Sequence, residues 1–474
     1  MDKIKLVIFF LGLPLVLFLV WRRGPIILLY FALTLCWFPQ RLNNYGPLES
    51  ILESTSFTEM AVAVAFIMSF GFRNPRRTPY LGLLVLFSAL AMFPWLWRDN
   101  PDPLVAWRAM RWNVIIPCMA YVAVWRIVQT PSAIDKLIKM FLGGQVLLAI
   151  ITLLAPFGLI VGFGGSADLS LTDEKYRLAA SYMIPLMGKV EIGGNLTVFF
   201  HCYAIAFLLS YVIYHKINMH TGIFLPTLLI INVSAVLITG SRTPIIAMLA
   251  IIISILVTSG LSVSLEKYSS INKLKALLLL SFIMIFLIIF VEIFKDVKLG
   301  QRIIDVANLI TGSSKDMFEK GSGYERMKMW EEFIPTMQKA PFGAGFIESF
   351  SYLGGVDLGP HAQYLFLLLG AGLPGLLIWL LFLGFIMRDC LTASIRRTTP
   401  YTWIILGTGG AIVSYLVNGF MVHTYLVRGA DMSIFLLAGL AMKAAYFEKM
   451  AVRRMQHLGE PQLSGRRQPA MSLR

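Results

Sequence analysis

The chain has 474 residues, 57% hydrophobic and only 14% charged. Soluble globular chains carry about 25% charged residues, so a soluble class is excluded and an integral membrane protein is indicated. A formal charge of +15 points to nucleic acid in a soluble protein. Here the cations flank apolar runs, where they set orientation, and no basic face is interleaved with stacking aromatics, so nucleic acid is excluded as a partner.

The apolar runs are unbroken and lack a period of two, which selects helices over a barrel. In chain order, spans are predicted at about 5–21, 25–39, 57–72, 80–97, 109–128, 137–157, 193–214, 222–240, 244–260, 274–294, 361–386, 401–420 and 427–446. The fold expected is an all-α polytopic bundle of about twelve or thirteen transmembrane helices. The first run follows Lys3 and Lys5 and is closed by Trp21-Arg22-Arg23 with no small-residue cleavage site, so it reads as a retained span rather than a signal peptide. Cys36, Cys118, Cys202 and Cys390 lie in or beside apolar runs without ligand spacing, which implies neither disulfides nor a metal site.

One set of short connections holds Arg22, Arg23, Arg73, Arg76, Arg77, Arg126, Lys136, Lys139, Lys216, Lys267, Lys273, Lys275, Arg388, Arg396 and Arg397. The alternate set is cation-poor, so the first set and the basic tail 447–474 are placed in the cytoplasm. Two long loops, 158–192 and 295–360, then lie outside. The expected organisation is an N-terminal bundle over 1–294, a helical loop domain over 295–360, C-terminal helices over 361–446, and the tail.

Gly240-Ser241-Arg242-Thr243-Pro244 joins two spans at the outer end. Thr243 suits an N-cap and Pro244 the first helical position, so a helix begins there with its positive end outward. Arg242 then sits at the boundary, either as an ordinary interfacial anchor or as an anion ligand.

In the long loop, Ser322-Gly323-Tyr324-Glu325 has capping-box form and starts a helix that Pro335 kinks or ends. Arg326 lies in its first turn and shares a face with Trp330. A cation there opposes the helix dipole, which an anion at that end would explain; pairing with Asp305 or Glu325 is the competing account.

The loop closes on Gly359-Pro360-His361-Ala362-Gln363-Tyr364. A helix start at His361 disfavours imidazolium and leaves the ring able to accept a proton, with Tyr364 on the same face. Five other histidines, His201 among them, read as structural. Two arginines and a neutral histidine on one membrane face suit an amphiphilic substrate with a phosphate-bearing head. No acidic or His/Asp cluster in the outer loops has metal spacing, so neither metal nor cofactor is expected.

Gly240-Ser241-Arg242-Thr243, Arg326-x-x-x-Trp330, Pro341-Phe342-Gly343-Ala344-Gly345, and His361-Ala362-Gln363-Tyr364-Leu365 with Gly370, Gly372 and Gly375 together resemble the O-antigen ligase/Wzy polymerase superfamily over about residues 225–385. The resemblance implies a metal-independent, inverting glycosyltransferase of GT-C type in a bacterial inner membrane. Such enzymes take an undecaprenyl-pyrophosphate-linked glycan at the periplasmic face and polymerise it or ligate it to an acceptor. By that resemblance Arg242 and Arg326 bind pyrophosphate and His361 is catalytic, with Tyr364, Gln363 and Trp330 around them. Ala362 stands where many relatives carry Asn after the histidine.

Arg177 in the 158–192 loop and the Trp95-Leu96-Trp97-Arg98 turn are candidates to line a glycan groove. Polymerisation of an exopolysaccharide is favoured over ligation to lipid A-core, and chain-length or export proteins are possible partners. A lipid-linked sugar flippase requires charges along span interiors, which are nearly absent apart from Glu292. A structural subunit of an export complex is the remaining alternative.

Overall fold

The computed structural model describes residues 18–36, 57–72, 77–97, 107, 109–154, 179–184, 188–193, 197–214, 219–239, 241–260, 269–295, 301, 304, 306, 331, 333, 338, 340–346, 362–396, 400–420 and 430–457. A helix occupies every predicted span from the second onward. These are α1 (Ile26–Thr34), α2 (Phe57–Ser69), α3 (Leu81–Trp97), a π-helical turn (Arg111–Ile115) leading into α4 (Ile116–Ile127), α5 (Pro131–Leu154), α6 (Val198–Tyr214), α7 (Met219–Ile238), α8 (Arg242–Gly260), α9 (Ser269–Phe294), α10 (Gln363–Arg396), α11 (Thr402–Gly419) and α12 (Ala430–His457).

Pro131–Leu154, Arg242–Ser259, Gln363–Ile395, Thr402–Gly419 and Ala430–Ala451 are long and apolar enough to cross a membrane. Shorter apolar helices stand at other expected spans, among them Val198–Tyr214 and Phe224–Ile238. The all-α polytopic membrane class holds.

One element was not foreseen. Ala179–Ile184 (β1) pairs antiparallel with Gly188–Gly193 (β2), from Ala179 opposite Gly193 to Ile184 opposite Gly188. Its trace in the sequence is the alternation Lys189-Val190-Glu191-Ile192, which favours a strand.

The centre of the bundle is α11, which packs on α6, α8, α10 and α12. All four run antiparallel to it. Phe199 at the start of α6 meets Tyr415 near the end of α11, while Phe207 and Tyr211 meet Trp403 near its beginning. In α12, Asp431 bonds Tyr415 and Glu448 bonds Thr402. Close approach depends on glycine. A Cβ at Gly407 would lie 2.6 Å from the Phe207 ring, and one at Gly144 would lie 2.2 Å from the Thr34 carbonyl oxygen, where α5 crosses α1.

The predicted span 361–386 is not one helix. At Gly372 the backbone leaves helical geometry (φ 69°, ψ −178°), a region open essentially to glycine alone. A straight helix would hold Tyr364 and Trp379 about 22 Å apart along its axis. Their ring centroids lie 6.0 Å apart, so the half-helix before Gly372 folds over the end of α11 and the span proper begins at Leu373.

Gly144→Val places a branched side chain against the Thr34 carbonyl. It is expected to cost about 1–3 kcal/mol through overpacking, read as a lower melting temperature of the detergent-purified protein; an unchanged melting temperature would contradict the α1–α5 contact.

Candidate active site

The turn between α7 and α8 is built from its own polar groups. Thr239 Oγ1 donates to the Val236 carbonyl at 2.7 Å and accepts from the Ser241 amide at 3.4 Å. The helix that follows begins at Arg242, two residues before the expected Pro244, a shift of the size that separates capping and first-turn positions. Arg242 is therefore a first-turn residue, half-buried rather than hanging in a loop.

One turn into each helix, α8 meets α6 and α6 meets α11. The Cys202 thiol donates to the Pro244 carbonyl at 3.8 Å and lies in hydrogen-bonding reach of Ser414 and Asn418. Asn418 Nδ2 donates to Ser414 Oγ at 3.2 Å.

The last turn of α11 is also where α10 arrives. Tyr364 Oη donates to the Leu416 carbonyl at 2.6 Å, one of the four terminal carbonyls an α-helix cannot pair internally. Gly419 admits Gln363 beside it, since a Cβ there would sit 3.3 Å from the Gln363 Cβ. Tyr415 bonds Asp431 in the first turn of α12, where a carboxylate is favoured by the helix dipole. The rings of Phe420, Tyr364, Trp379, Tyr415 and Phe199 follow one another at 4.6 to 6.1 Å. Of the sequence-predicted residues, Arg242, Gln363 and Tyr364 are thus gathered on helices that meet α11. His361, Arg326, Trp330 and Arg177 lie outside the described residues.

The Pro341-Phe342-Gly343-Ala344-Gly345 motif is seated in the break of α10. The Ala344 amide donates to the Leu369 carbonyl at 2.7 Å and the Leu373 amide donates to the Pro341 carbonyl at 3.1 Å. A Cβ at Gly372 would stand 2.3 Å from the Phe342 carbonyl carbon, and one at Gly370 2.4 Å from the Phe346 ring. Phe346 also packs on Phe366 at 5.2 Å. Residues 344–346 are thereby held against the first half of α10.

All four helices packed on α11 begin at the end where it stops. Each N-terminus carries roughly +0.5 of a charge and the α11 C-terminus roughly −0.5. α7 also ends there, at the turn into α8, so helix ends of both signs meet at this end and Arg242 adds a full positive charge to it.

Several polar groups at this end were not singled out from the sequence. Glu59 accepts from Trp112 Nε1 at 3.1 Å and pairs with Arg111 at 3.5 Å, where the π-helical turn begins. In the interior, His201 joins Thr152 (3.2 Å) and Asn232 (3.4 Å), and all three are fully buried. Asp431 had a legible signal, a lone acid opening an apolar run. The partners of the others lie far along the chain and left no local mark.

Residues 227–380 match the family model described as O-antigen ligase. The match covers about a third of the chain, which is similar to that family over these residues. The matched segment includes α8 with Arg242, the seated 340–346 motif and both halves of the α10 break. The apolar helices make the protein a multi-pass membrane protein. A search of curated proteins finds no match.

Gly372→Ala forces an L-residue into a left-handed conformation and drives a methyl into Phe342. The expected result is release of the 340–346 segment, seen as faster protease cleavage there while the rest of the bundle stays resistant; wild-type cleavage kinetics would count against the seated loop.

Proposed function

We propose that the protein is a glycosyltransferase that takes an undecaprenyl-pyrophosphate-linked glycan at the periplasmic face of a bacterial inner membrane and extends or ligates a polysaccharide. The observation that carries this reading is the junction at the end of α11. There the Arg242 helix and the half-helix that follows His361, both inside the matching segment 227–380, meet two further helix N-termini that lie outside it. Such a place favours a polyanion at the membrane boundary, and the pyrophosphate of a lipid-linked donor is one.

In this mechanism Arg242 and Arg326 hold the pyrophosphate and stabilise the negative charge that grows on the leaving oxygen as the anomeric bond breaks. His361, next to the positive end of the half-helix, accepts the proton of the attacking sugar hydroxyl. Attack opposite the leaving group inverts the anomeric centre. The arginines and helix ends supply the electrostatic stabilisation that other glycosyltransferases draw from a metal, so the reaction is proposed to be metal-independent and of GT-C type.

The loop over 295–360 acts as one wall of the pocket and the bundle as the other. Gln363 and Tyr364 shape the pocket floor, and Trp330 and Arg177 contact the glycan. Polymerisation of an exopolysaccharide remains preferred over lipid A-core ligation, with the cytoplasmic tail and any chain-length or export partner outside the chemistry.

The test is turnover of undecaprenyl-pyrophosphate oligosaccharide by the purified protein, followed as released undecaprenyl pyrophosphate and lengthened or transferred glycan. Arg242→Ala and His361→Ala, expressed and folded as wild type, are each expected to lose about 10²–10³-fold in kcat. Arg242→Lys should recover only part of the loss, because a point charge does not reproduce bidentate phosphate binding. Undiminished turnover in both alanine variants would sink the assignment.

A further inference from the structure

The contact between α5 and α6 is apolar at one level and polar at the next. Phe141 meets Phe207, ring centres 5.9 Å apart. The two helices run antiparallel, since Thr152, further along α5, meets His201, earlier in α6, at 3.2 Å. Between these two contacts, one turn on from the ring pair along each helix, stand Gln145 and Tyr203. Both are 0% exposed. The Tyr203 hydroxyl and the Gln145 amide oxygen each lack a hydrogen-bond partner among the protein groups.

The orientation of the Gln145 amide is set by its neighbours. Its Nε2 donates to Cys36 Sγ at 3.7 Å, and the Cys36 thiol donates to the Leu33 carbonyl at 3.3 Å. Turned the other way, the amide would set its oxygen against a sulfur whose proton is already given to Leu33. Gln145 therefore presents an acceptor, and Tyr203 holds a hydroxyl proton that no protein group receives. Cys36 lies within electrostatic reach of Tyr203, as does the Asp431 carboxylate in the first turn of α12. The end of α1 and helices α5, α6 and α12 thus each bring a polar group to one place. They do so inside an apolar bundle, where an unmade hydrogen bond is costly.

A donor and an acceptor placed across one helix contact would satisfy each other if they touched. Tyr203 and Gln145 make no such bond, and a single oxygen atom between them would span about 5.5 Å. We propose that Tyr203 and Gln145 form a binding site for one neutral hydroxyl ligand, an ordered water, which accepts from Tyr203 Oη and donates to Gln145 Oε1. Its second proton is directed to the Asp431 carboxylate, which accepts through about four lone-pair sites. An anion does not fit, because Gln145 and Asp431 both present lone pairs. A buried water commonly makes about three hydrogen bonds, and Tyr203, Gln145 and Asp431 supply that many. The water ties α5 and α6 to the opening turn of α12, and Asp431 in turn bonds Tyr415 near the end of α11. It is an internal link beneath the candidate site and does not rest on the glycosyl-transfer reading.

The test exposes the full-length protein in nanodiscs to microsecond X-ray pulses, which convert a bound water into a hydroxyl radical that oxidises the side chain beside it. Tyr203 is expected to be oxidised despite its burial, roughly tenfold more than Phe87, which is 1% exposed in α3. In Gln145→Leu that oxidation should fall to the Phe87 level.

A second measurement is the melting temperature. Tyr203→Phe removes only the hydroxyl. Without a ligand an unpartnered buried hydroxyl is destabilising, and its loss would leave the melting temperature unchanged or raise it. With the water in place the loss strands Gln145, and the melting temperature should fall by about 2 °C or more. Combining Tyr203→Phe with Gln145→Leu should lower it no further than the larger single change, because the two side chains share one ligand. Exchange of sodium for choline should alter neither readout; a dependence on sodium would put a cation on these oxygens and overturn the water site. Oxidation of Tyr203 no greater than that of Phe87, a melting temperature of Tyr203→Phe at or above wild type, or full additivity in the double variant would overturn it as well.

Discussion

A helix that breaks inside an apolar bundle must find new partners for the backbone groups it frees, because no water is there to take them. That requirement organises the candidate site. At Gly372 the turn of α10 opens, and the carbonyl of Leu369 and the amide of Leu373 are paired instead by Ala344 and Pro341. Since the pairing is backbone to backbone, it constrains Cβ atoms rather than side-chain chemistry. Gly343, Gly370 and Gly372 are places where a methyl group would meet main chain or a buried ring at 2.3 to 2.6 Å. The end of the long loop is thereby tied to the bundle, and the first half of α10 is free to lie across the end of α11.

The electrostatic character of the site follows from that fold. Four helices start where α11 ends, with the α7 C-terminus beside them at the turn into α8. Carboxylates are tolerated there because each sits in the first turn of a helix, at its positive end. Asp431 is 5% exposed and Glu59 6% exposed, yet the first sits in the opening turn of α12 and the second beside Arg111 and Trp112. Their placement tempers the positive end without cancelling it. The side chain of Tyr364 does the complementary work on the α11 carbonyls, donating to Leu416.

What could be read from the chain was whatever depends on neighbours in sequence. Apolar runs located the helices, and Thr243-Pro244 located the start of α8 to within two residues. The glycines around Gly372 were recognised as part of a motif, but not as a break. Gly372-Leu373-Pro374 carried that signal, since Pro374 suits the first turn of a new helix and Gly372 the left-handed residue before it. The meeting of Cys202 with Pro244, Ser414 and Asn418, or of Tyr364 with Leu416, depends on which helices neighbour which. No local period encodes that. The small cluster of Phe333, Ala340, Ala344, Ala362, Leu365 and Leu369, apart from the main core, was hidden for the same reason, although Ala344, Ala362 and Leu365 were each part of a motif.

The opposite end of the bundle shows what the site end is not. There Lys443 is taken up by internal packing. Lys443 is 2% exposed, donates to the Trp125 carbonyl at 2.9 Å, and lies 4.8, 5.5 and 5.6 Å from the ring centres of Trp125, Tyr446 and Phe447. Tyr80 bonds Asp389, which Arg388 also holds, and the Tyr80 ring stacks on Phe385. These contacts join α4 to α12 by cation–π pairs and the residue before α3 to α10 by a hydrogen bond and a ring stack. Cations already enclosed by aromatic faces have little capacity left for an external anion. The end with four helix N-termini, Arg242 and the seated loop keeps that capacity, and the rigid opposite end supplies the frame against which the half-helix of α10 is held.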